Sequence, residues 1–411
     1  MSTEARVARW QQVRRLLAVR LDNLGDVLMT TPALGAIAQS LPGVHVTLLT
    51  SPAAATAAAH LPMVDAAWPF VVPWMQVGAE PQDDGHAADG SSLGQREAAL
   101  IDRLAEGRFD AAVIFTVCTQ SALPAALLCR LAGIPLRLAH SRENPYALLT
   151  DWCAERDQVV AGSALDEQPE RVRHEVQRQL ALVASVGLHT DDPSLRFALD
   201  GSDVVAARER LRRAGVQPGQ PYAVLHPGAT AASRRWPAER FGIAAQPLQA
   251  QGCAVVFSGG ADEVALCERA LQALHTMPHP VADRAGAAAR GDVLPPAVSL
   301  AGELSIGELA ALIAGAEVLV ANNSAPAHLA AALGTPVVAL YALTNPQHTP
   351  WQVASRVLHH DVPCRWCLKS ACPQRHHDCL RKVEPERVAD AALGLMQERA
   401  AARSAARSLH A

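Results

Sequence analysis

Aromatic side chains are scarce in this chain of 411 residues. Phe, Trp and Tyr together make up 4% of the sequence, whereas half of the residues are hydrophobic and alanine is very abundant. This composition supplies ample material for a core and favours closely packed small-residue helices over aromatic stacking surfaces. It excludes a disordered tail protein, a coiled coil and a collagen-like fibre. From the length we expect two or three domains.

A surplus of positive charge is also missing. The 36 Lys and Arg residues are outnumbered by 40 Asp and Glu residues, which leaves a net charge of -4. The chain has no bulk field that would attract nucleic acid, so we predict no nucleic-acid partner. Two nucleotide-binding patterns, G-x-G-x-x-G and G-x-x-x-x-G-K-[ST], are absent from the sequence. Hydride transfer and P-loop phosphoryl transfer therefore lose their main support, and we expect no redox cofactor.

The sequence lacks a long apolar run and a secretory signal. Its longest apolar stretch, residues 329–343, is interrupted by Gly-Thr-Pro at 334–336 and falls short of the ~20 residues that span a bilayer. The first residues are too charged for a signal peptide, so we expect a cytoplasmic protein. The basic start has two interpretations, peripheral contact with the inner face of the membrane or a frayed leader. Both rest on Arg6, Arg9, Trp10, Arg14 and Arg15.

Short apolar runs alternate with helical stretches along the chain. Helices are predicted at 26–40, 123–131, 237–251 and 325–333, and strands at 16–19, 44–49, 111–115, 222–225, 253–257, 317–320 and 336–340. Buried strands that alternate with helices are typical of parallel sheets covered on both faces. Because the pattern restarts near residue 220, we expect two similar α/β domains. Two further segments, 78–94 and 277–296, are predicted as loops, either plain insertions or lids.

The first motif lies where the first predicted strand passes into its helix. It reads Arg20-Leu-Asp-Asn-Leu-Gly25-Asp26-Val and is followed by Thr-Thr-Pro at 30–32. Gly25 lets the backbone turn, and Asp26 stands at the start of the helix. Asp26 has two interpretations. It is a helix N-cap, which spacing alone favours, or a carboxylate at the sheet edge that takes a proton from a substrate hydroxyl.

Three more loops follow strands in the second half of the chain. His226–Thr230 with Ser233–Pro237 combines free amides, a hydroxyl and two guanidiniums, which suit a diphosphate. Ser258–Glu263 places a carboxylate beyond two glycines, in position for ribose hydroxyls. Asn322–His328 brings two amides and a hydroxyl to a helix start, which suits an anion. Taken alone, each loop is also explained as an ordinary turn, and for the last one a helix cap is the simpler explanation.

Together and in this order, the motifs resemble family 9 of the glycosyltransferases, the ADP-heptose:lipopolysaccharide heptosyltransferase group. Residues 20–32 resemble its opening motif, His226–Ala229 with Arg235–Pro237 its central motif, and Asn322–Pro336 its donor motif. The resemblance runs from about residue 14 to residue 395. It implies a GT-B fold, in which two Rossmann-like domains face each other across a cleft. The implied parts are an acceptor domain at 1–195, a sugar-nucleotide domain at 196–380, and a helix within 381–411 that crosses back to the first domain.

The resemblance also implies roles for single residues. Asp26 matches the general base of an inverting displacement, in which the acceptor oxygen attacks the anomeric carbon opposite the departing diphosphate. Arg234 would bind the diphosphate and Glu263 the ribose. The full set of predicted donor-binding residues is Thr230, Arg234, Glu263, Asn323, Ser324, Ala325 and His328. Many members carry Lys at the position of Arg234, Asp at that of Asn323 and Gly at that of Ala325, and these departures bear on the donor sugar rather than on the fold.

Cysteine is concentrated near the C-terminus. Four of the nine cysteines, Cys364, Cys367, Cys372 and Cys379, fall within 16 residues, with two histidines between the last pair. In a cytosolic protein such density favours a metal over a disulfide framework, and four thiolates suit a structural Zn or Fe. Reduced thiols and redox disulfides stay open, because the gaps are looser than a repeated C-x2-C pattern. Similar clusters occur in part of the family, including relatives that glycosylate proteins.

The sequence therefore predicts an inverting glycosyltransferase that moves a sugar to a glycolipid or glycan acceptor. Heptose from ADP-heptose is the first choice for the donor. Two alternatives are kept. One is a protein glycosyltransferase of the autotransporter type, which the cysteine cluster suggests. The other is a family member that has lost catalysis and binds a nucleotide or a metal, which Asn323 and Ala325 suggest.

Overall fold

The computed structural model of the chain describes residues 2–75, 94–155, 172–276 and 294–408. It divides into two compact units, Met1–Gln158 with Glu175–Ser194, and Val159–His174 with Leu195–Ala411. The loops predicted at 78–94 and 277–296 lie almost entirely outside the described residues. The assignment of 1–195 to the acceptor and of 196–380 to the sugar nucleotide stays a prediction.

The first unit is built on a parallel sheet with the strand order β3-β2-β1-β4-β5-β6. The pairing of β1 with β2 sets Leu16 beside Val46, and the pairing of β1 with β4 sets Leu16 beside Ala111. The elements in chain order are α1 (Thr3–Trp10), β1 (Arg15–Arg20), α2 (Leu24–Ser40), β2 (His45–Thr50), α3 (Pro52–Ala55), β3 (Ala66–Pro69), α4 (Gln95–Glu106), β4 (Ala111–Ile114), α5 (Leu123–Leu131), β5 (Leu136–Ser141), β6 (Asp151–Ala154) and α6 (Glu175–Ala184).

The second unit repeats this architecture, with the strand order β12-β11-β10-β7-β8-β9 in a second parallel sheet. Its elements are α7 (Gly201–Arg213), β7 (Tyr222–His226), α8 (Ala238–Ala250), β8 (Ala254–Phe257), α9 (Val264–Thr276), β9 (Ala297–Ser299), α10 (Ile306–Gly315), β10 (Val318–Asn322), α11 (Ala325–Leu333), β11 (Val337–Leu340), β12 (Ser355–Leu358), α12 (Asp378–Arg381) and α13 (Pro385–Ser408). Short 3-10 turns lie at Ala58–His60, Pro73–Met75, Tyr146–Leu148, Ala232–Arg234 and Ala261–Glu263.

Both sheets have the strand order 3-2-1-4-5-6 that defines a Rossmann fold. The central strands are apolar and buried along their length, as β4, β10 and β11 show. Such strands need helices on both faces, which the alternating pattern of the sequence supplies. The predicted parallel sheets and two Rossmann-like domains are confirmed. Among the described helices, none combines the length and the apolar character needed to cross a membrane.

The N-terminal segment is not a frayed leader. It forms α1, whose N-cap Ser2 accepts a hydrogen bond from the N–H of Ala5. Trp10 at the other end of the helix is fully buried, and its indole N–H donates to Asp151 over 3.2 Å. Arg9 pairs with the same carboxylate at 3.4 Å. Trp10 is therefore not available for membrane contact, because its ring belongs to the core of the first unit, and peripheral contact through the arginines of this segment stays a prediction.

Helix α2 crosses the first unit almost completely buried and carries a proline in its interior. Pro32 has no N–H to offer the carbonyl of Leu28, which an uninterrupted helix would require. The hydroxyl of Thr31 donates to that carbonyl instead, over 2.7 Å. The Thr-Thr-Pro sequence thus keeps the buried backbone satisfied, and the helix continues to Ser40.

The last helix, α13, packs within the second unit. Its buried residues Val388, Ala389, Ala392 and Leu395 join the core formed by β7, β8, β10 and α8. The predicted passage of this helix back to the first domain stays a prediction.

We expect Gly242→Ala to destabilise the protein by about 2 kcal/mol. A methyl group there would lie 2.0 Å from the carbonyl oxygen of Ala270, so α8 and α9 would have to separate. Gly394→Ala is the matched control, since a methyl group on α13 meets nothing within 4 Å. It should raise stability by about 0.5–1 kcal/mol, because alanine is the better helix former. Thermal unfolding followed by circular dichroism measures both changes, and equal effects would contradict the packing argument.

Candidate active site

Each sheet has one place where the connections of neighbouring strands diverge, between β1 and β4 in the first unit and between β7 and β10 in the second. The loops separate there and open a crevice at the carboxyl ends of the strands, where open α/β sheets bind ligands. The motif at 20–32 leaves β1, and the motifs that begin at His226 and Asn322 leave β7 and β10. The sequence motifs thus lie at the ligand-binding edges of the two sheets.

Asp26 lies in the first turn of α2. The N-cap of this helix is Asn23, whose carbonyl accepts the Asp26 N–H over 3.0 Å. The interpretation of Asp26 as the N-cap is therefore wrong. Its side chain is 14% exposed, and the amino end of a helix favours a carboxylate. A carboxylate that is held in place and still reaches the surface is able to accept a proton from a bound molecule.

One guanidinium organises the acidic groups around Asp26. Arg20 at the end of β1 is fully buried. Its Nε lies 3.0 Å from Asp22, and its Nη2 lies 3.3 Å from Asp26 and 3.1 Å from Glu175. Burial alone would lower the pKa of Arg20, but the three carboxylates outweigh this effect and raise it. Arg20 therefore stays charged and fixes the position of Asp26.

A second layer holds Glu175 in place at the amino end of α6. Gln179 donates to Glu175 Oε1 over 2.6 Å, and Arg178 lies 3.5 Å from the same oxygen. Arg178 also forms a buried ion pair with Glu155 and donates to the carbonyl of Thr116 beyond β4. These contacts tie the loops after β1 and β4 to α6, so the site does not depend on a single loop.

In the second unit a neutral amide organises the sheet edge. Asn322 at the end of β10 is fully buried, and its Nδ2 donates to the carbonyl of Pro227 over 2.7 Å. Its Oδ1 accepts the backbone N–H of Trp236 over 3.0 Å. Asn322 thus joins both ends of the loop that follows β7. Its contacts are therefore structural.

The predicted ribose-binding residue Glu263 lies against the loop after β7. Its Oε2 accepts the N–H of Gly260 over 2.9 Å and lies 3.5 Å from Nε2 of His226. A Cβ on Gly228 would lie 2.0 Å from the carboxylate, so a larger residue there would displace the side chain of Glu263. Burial lowers the pKa of His226, although Glu263 opposes the shift. The arrangement fixes one carboxylate at the edge of the second sheet.

The predicted donor residues Arg234 and His328 belong to one electrostatic cluster. His328 is 3% exposed, and burial together with the charges of His348, His174 and Arg234 lowers its pKa to about 3. Its Nδ1 and the Nε of Arg234 are buried and make no hydrogen bond among the residues that the structure describes. Buried polar atoms are normally hydrogen-bonded, so these two atoms indicate a site for a ligand.

Asn323 lies in the same cluster, beside the hydroxyl of Tyr341. Asn323 is 4% exposed, and its Nδ2 makes no hydrogen bond of normal geometry within the described residues. The Tyr341 hydroxyl accepts the backbone N–H of His348 over 3.2 Å and donates to the carbonyl of Asn345. The cluster presents N–H groups rather than carboxylates, which suits an anionic ligand.

The other predicted donor residues are placed less tightly. Thr230 is exposed in the loop after β7. Ser324 is the N-cap of α11 by position, but its hydroxyl donates to the carbonyl of Asn322 over 3.2 Å and does not cap the helix. Ala325 is the first residue of α11 and is partly exposed. The structure therefore brings Arg234, Asn323 and His328 together. The contribution of Thr230, Ser324 and Ala325 to donor binding stays a prediction.

A sequence profile identifies the family. The profile of glycosyltransferase family 9, the heptosyltransferases, matches residues 98–377, more than half of the chain. The chain belongs to glycosyltransferase family 9.

Named relatives agree with this assignment. This chain is 26% identical over 395 residues to lipopolysaccharide heptosyltransferase 1 of Pseudomonas aeruginosa. The match covers 91% of this chain and 96% of that protein. It is 25% identical over 237 residues to lipooligosaccharide heptosyltransferase 2 of Campylobacter jejuni, across 56% of this chain and 67% of that protein. A solved structure of ADP-heptose lipopolysaccharide heptosyltransferase II from E. coli superposes with a TM-score of 0.66 at 22% identity, across 94% of this chain and 99% of that one.

The chain is therefore a glycosyltransferase with the GT-B fold, and the predicted family, fold class and enzyme class are confirmed. The cleft between the domains, the inverting course and the roles of the single residues stay predictions.

Several residues of the family 9 site were missed by the sequence reasoning. The segment after β11 contributes Tyr341, Asn345 and His348, and its signal was the polar stretch at 344–348, a few residues beyond a buried strand. Arg20 and Asp22 were part of the first motif, but no role was predicted for them. No sequence pattern pointed to Glu175, because its partner Arg20 is 155 residues away in the sequence.

The segment at 364–379, which carries the four clustered cysteines, contacts the loops that surround the cluster of Arg234, Asn323 and His328. The N–H groups of Trp366 and Leu368 donate to the carbonyls of Leu343 and Thr344, and Ser233 donates its N–H to the carbonyl of Ser370. The segment therefore links the loop after β7 to the loop after β11 through its own backbone.

The predicted metal site is not supported by this geometry. Cys364 Sγ lies 3.6 Å from Nε2 of His376, and burial together with Cys372 and Cys367 raises the pKa of the Cys364 thiol. All four cysteines, Cys379 included, lie within the described residues. Nevertheless, no group of three His, Cys, Asp or Glu side chains in the described residues is arranged to hold a metal ion. We assign no structural Zn or Fe to the cluster.

We expect Asp22 to make stability depend on pH. Burial raises its pKa to about 6, against the attraction of Arg20 and with added repulsion from Asp26. Because the native carboxyl then binds a proton that the unfolded chain has released, its contribution is present at about pH 4 and lost as the pH rises through about 6. The stability of the wild type relative to Asp22→Asn should fall by about 3 kcal/mol between about pH 4 and pH 7. Unfolding measured across this range checks it, and a constant difference would contradict the raised pKa.

Proposed function

We propose that this chain transfers a heptose from ADP-heptose to a glycolipid or glycan acceptor in lipopolysaccharide biosynthesis, with inversion at the anomeric carbon. The observation that carries this proposal is the position of Asp26. It is a partly exposed carboxylate at the ligand-binding edge of the first sheet, held by an ion pair to the buried Arg20. The relatives support the sugar, since they are named as heptosyltransferases and one of them as an ADP-heptose enzyme.

In the proposed reaction Asp26 removes the proton of the acceptor hydroxyl. The oxygen forms its bond to the anomeric carbon while the bond to the diphosphate breaks on the opposite face, and the proton ends on Asp26. This single displacement inverts the configuration and needs no covalent intermediate on the enzyme. Arg20 holds Asp26 but does not itself meet the substrate, because it is fully buried.

The second unit would bind the sugar nucleotide. Arg234 offers its buried Nε to the diphosphate, where its positive charge stabilises the leaving group as negative charge develops. Asn323 and His328 offer further N–H groups, and neutral His328 avoids the cost of a buried second cation. Glu263 is the acceptor of ribose hydroxyl groups in this proposal.

Asp26→Asn should lower turnover by at least about 100-fold, which is the scale of general-base catalysis. Binding of ADP-heptose should remain nearly unchanged, because the substitution lies in the first unit. Transfer of labelled heptose measures turnover, and thermal shift with the donor measures binding. The exposed Asp102→Asn in the same unit is the matched control and should keep full activity. Unaltered turnover in Asp26→Asn would refute the role of Asp26.

The same assay separates the alternatives. Label in lipid or glycan supports the proposal, whereas label in protein would replace the acceptor by a polypeptide. Tight nucleotide binding without turnover of any donor would favour a chain that has lost catalysis, for which the Asn at 323 and the Ala at 325 are the motivating residues.

Arg234→Ala should weaken the binding of ADP-heptose by about 10- to 100-fold, since a charge-assisted hydrogen bond to the diphosphate contributes about 1.5–3 kcal/mol. Thermal shift titrations with the donor give the dissociation constants. Arg269→Ala is the control, because Arg269 is an exposed arginine of the same unit that pairs with Glu239. If both variants bind the donor as the wild type does, Arg234 is not a donor ligand.

A further inference from the structure

Three polar side chains form a chain of contacts at the edge of the second sheet. Ser258 follows β8, His226 is the last residue of β7, and Glu263 ends the 3-10 turn before α9. The hydroxyl oxygen of Ser258 lies 3.1 Å from His226 Nδ1, and His226 Nε2 lies 3.5 Å from Glu263 Oε2. One imidazole ring therefore connects a hydroxyl to the carboxylate that we assign to the ribose.

The neighbours of this ring decide where its hydrogen lies. Ser258 and His226 are both buried, and burial lowers the pKa of His226, so the imidazole is neutral near pH 7. A neutral imidazole has one N–H donor and one acceptor nitrogen. An ionised carboxylate only accepts hydrogen bonds, whereas a hydroxyl also donates. The favourable arrangement therefore places the hydrogen on Nε2, the nitrogen beside Glu263, and lets Nδ1 accept the hydroxyl hydrogen of Ser258.

The protein holds Glu263 through one of its two carboxylate oxygens. Oε2 accepts the N–H of Gly260 over 2.9 Å and is also the oxygen beside His226. Oε1 lies 2.0 Å from the position that a Cβ on Gly228 would take, so it faces the loop after β7. The side chain of Glu263 is 13% exposed, which leaves the carboxylate accessible to a ligand. We therefore assign Oε2 to the protein contacts and Oε1 to the ribose hydroxyls.

The backbone that carries the Ser258 hydroxyl is fixed as well. Its N–H donates to the carbonyl of Leu225 over 3.0 Å, and its carbonyl accepts the thiol of Cys267 over 3.3 Å. A Cβ on Gly259 would lie 3.0 Å from the Cβ of Glu263 and 3.1 Å from Cys267 Sγ. The loop after β8 is thus packed closely against α9, and the hydroxyl is presented to the imidazole from a fixed position.

We propose that His226, oriented by the hydroxyl of Ser258, is a positioning residue that holds Glu263 in the geometry that binds the ribose hydroxyls of the donor nucleotide. His226 and Ser258 act through the carboxylate rather than on the nucleotide itself. This inference rests on the proposed function, because it takes Glu263 as the ribose ligand. It adds the two residues that orient this ligand.

Binding of ADP and of 2′,3′-dideoxy-ADP to the full chain isolates the ribose contacts. The two molecules differ only in the ribose hydroxyls, so the ratio of their dissociation constants reports the hydrogen bonds of these groups. Isothermal titration calorimetry should show that the wild type binds ADP at least about 10-fold more tightly, which is the scale of a hydrogen bond to a charged group. Glu263→Ala should bring the ratio close to 1.

Two substitutions of His226 distinguish positioning from packing. His226→Gln keeps an N–H at the place of Nε2 and should keep the ratio within about 2-fold of the wild type. His226→Asn is too short to place an N–H there and should lower the ratio by at least about 5-fold. A wild-type ratio in His226→Asn, or an equal loss in both variants, would overturn the proposal.

Ser258→Ala tests the hydroxyl and should lower the ratio by at least about 2-fold, because the hydrogen of the imidazole is no longer fixed on Nε2. Thr335→Val is the matched control. It also removes a buried hydroxyl from the second unit, one that donates to the carbonyl of Ile313, and should leave the ratio unchanged. Equal ratios in the two variants would remove Ser258 from the proposal.

Nitrogen NMR of the imidazole ring tests the arrangement without a nucleotide. The signals of His226 are assigned by their loss in His226→Gln. In the wild type the hydrogen should lie on Nε2, and Ser258→Ala should shift the Nδ1 resonance, because this nitrogen loses a hydrogen bond. A hydrogen on Nδ1, or an Nδ1 resonance that does not respond to Ser258→Ala, would overturn the proposal. This measurement decides the matter if His226→Asn does not fold.

Failure of this inference is distinguishable from failure of the proposed function. If Glu263→Ala leaves the ratio unchanged, the ribose assignment of Glu263 is wrong and the positioning role falls with it. If Glu263→Ala abolishes the preference while His226→Asn keeps it, the ribose assignment stands and the role of His226 falls. Transfer of labelled heptose by Asp26→Asn depends on neither result, so the catalytic proposal is tested separately.

Discussion

The first unit depends on a single buried charge. Arg20 has no access to water, so its charge has to be balanced by acidic groups within reach. Three carboxylates share it, at 3.0 to 3.3 Å. Because Arg20 is shared, this one guanidinium positions Asp26 together with Asp22 and Glu175.

The second unit solves the same positioning problem without charge. Asn322, at the end of β10, fixes the loop after β7 through one hydrogen bond that it donates and one that it accepts. A carboxylate at this point would repel a diphosphate, and a guanidinium would leave a buried cation whenever the site is empty. A neutral amide avoids both costs. The charge for the ligand then comes from Arg234, whose side chain is only partly buried.

Most of the central strands could be predicted from the sequence, whereas β5 and the edge strands could not. Helices 123–131 and 325–333 were predicted at their observed bounds, since Pro stands at N2 of both and Gly334 ends the second. Short edge strands such as Ala297–Ser299 were not predicted, because three residues are too few to show a hydrophobic periodicity. Asp26 and His328 were singled out through motifs that follow strands, and their roles stay predictions. Glu175 and Trp10 were not understood, because both acquire their roles from partners more than 140 residues away.

The uneven distribution of charge between the two sites follows from the reaction that we propose. The acceptor side has to receive a proton, and its acidic groups compete for one guanidinium. When Asp26 takes up the proton, one competing negative charge disappears and its repulsion of Asp22 falls. The donor side has to release a diphosphate, and its cluster consists of N–H donors and a histidine that stays neutral. The acidic edge of the first unit therefore takes up the proton in this proposal, and the N–H donors of the second unit meet the negative charge of the diphosphate.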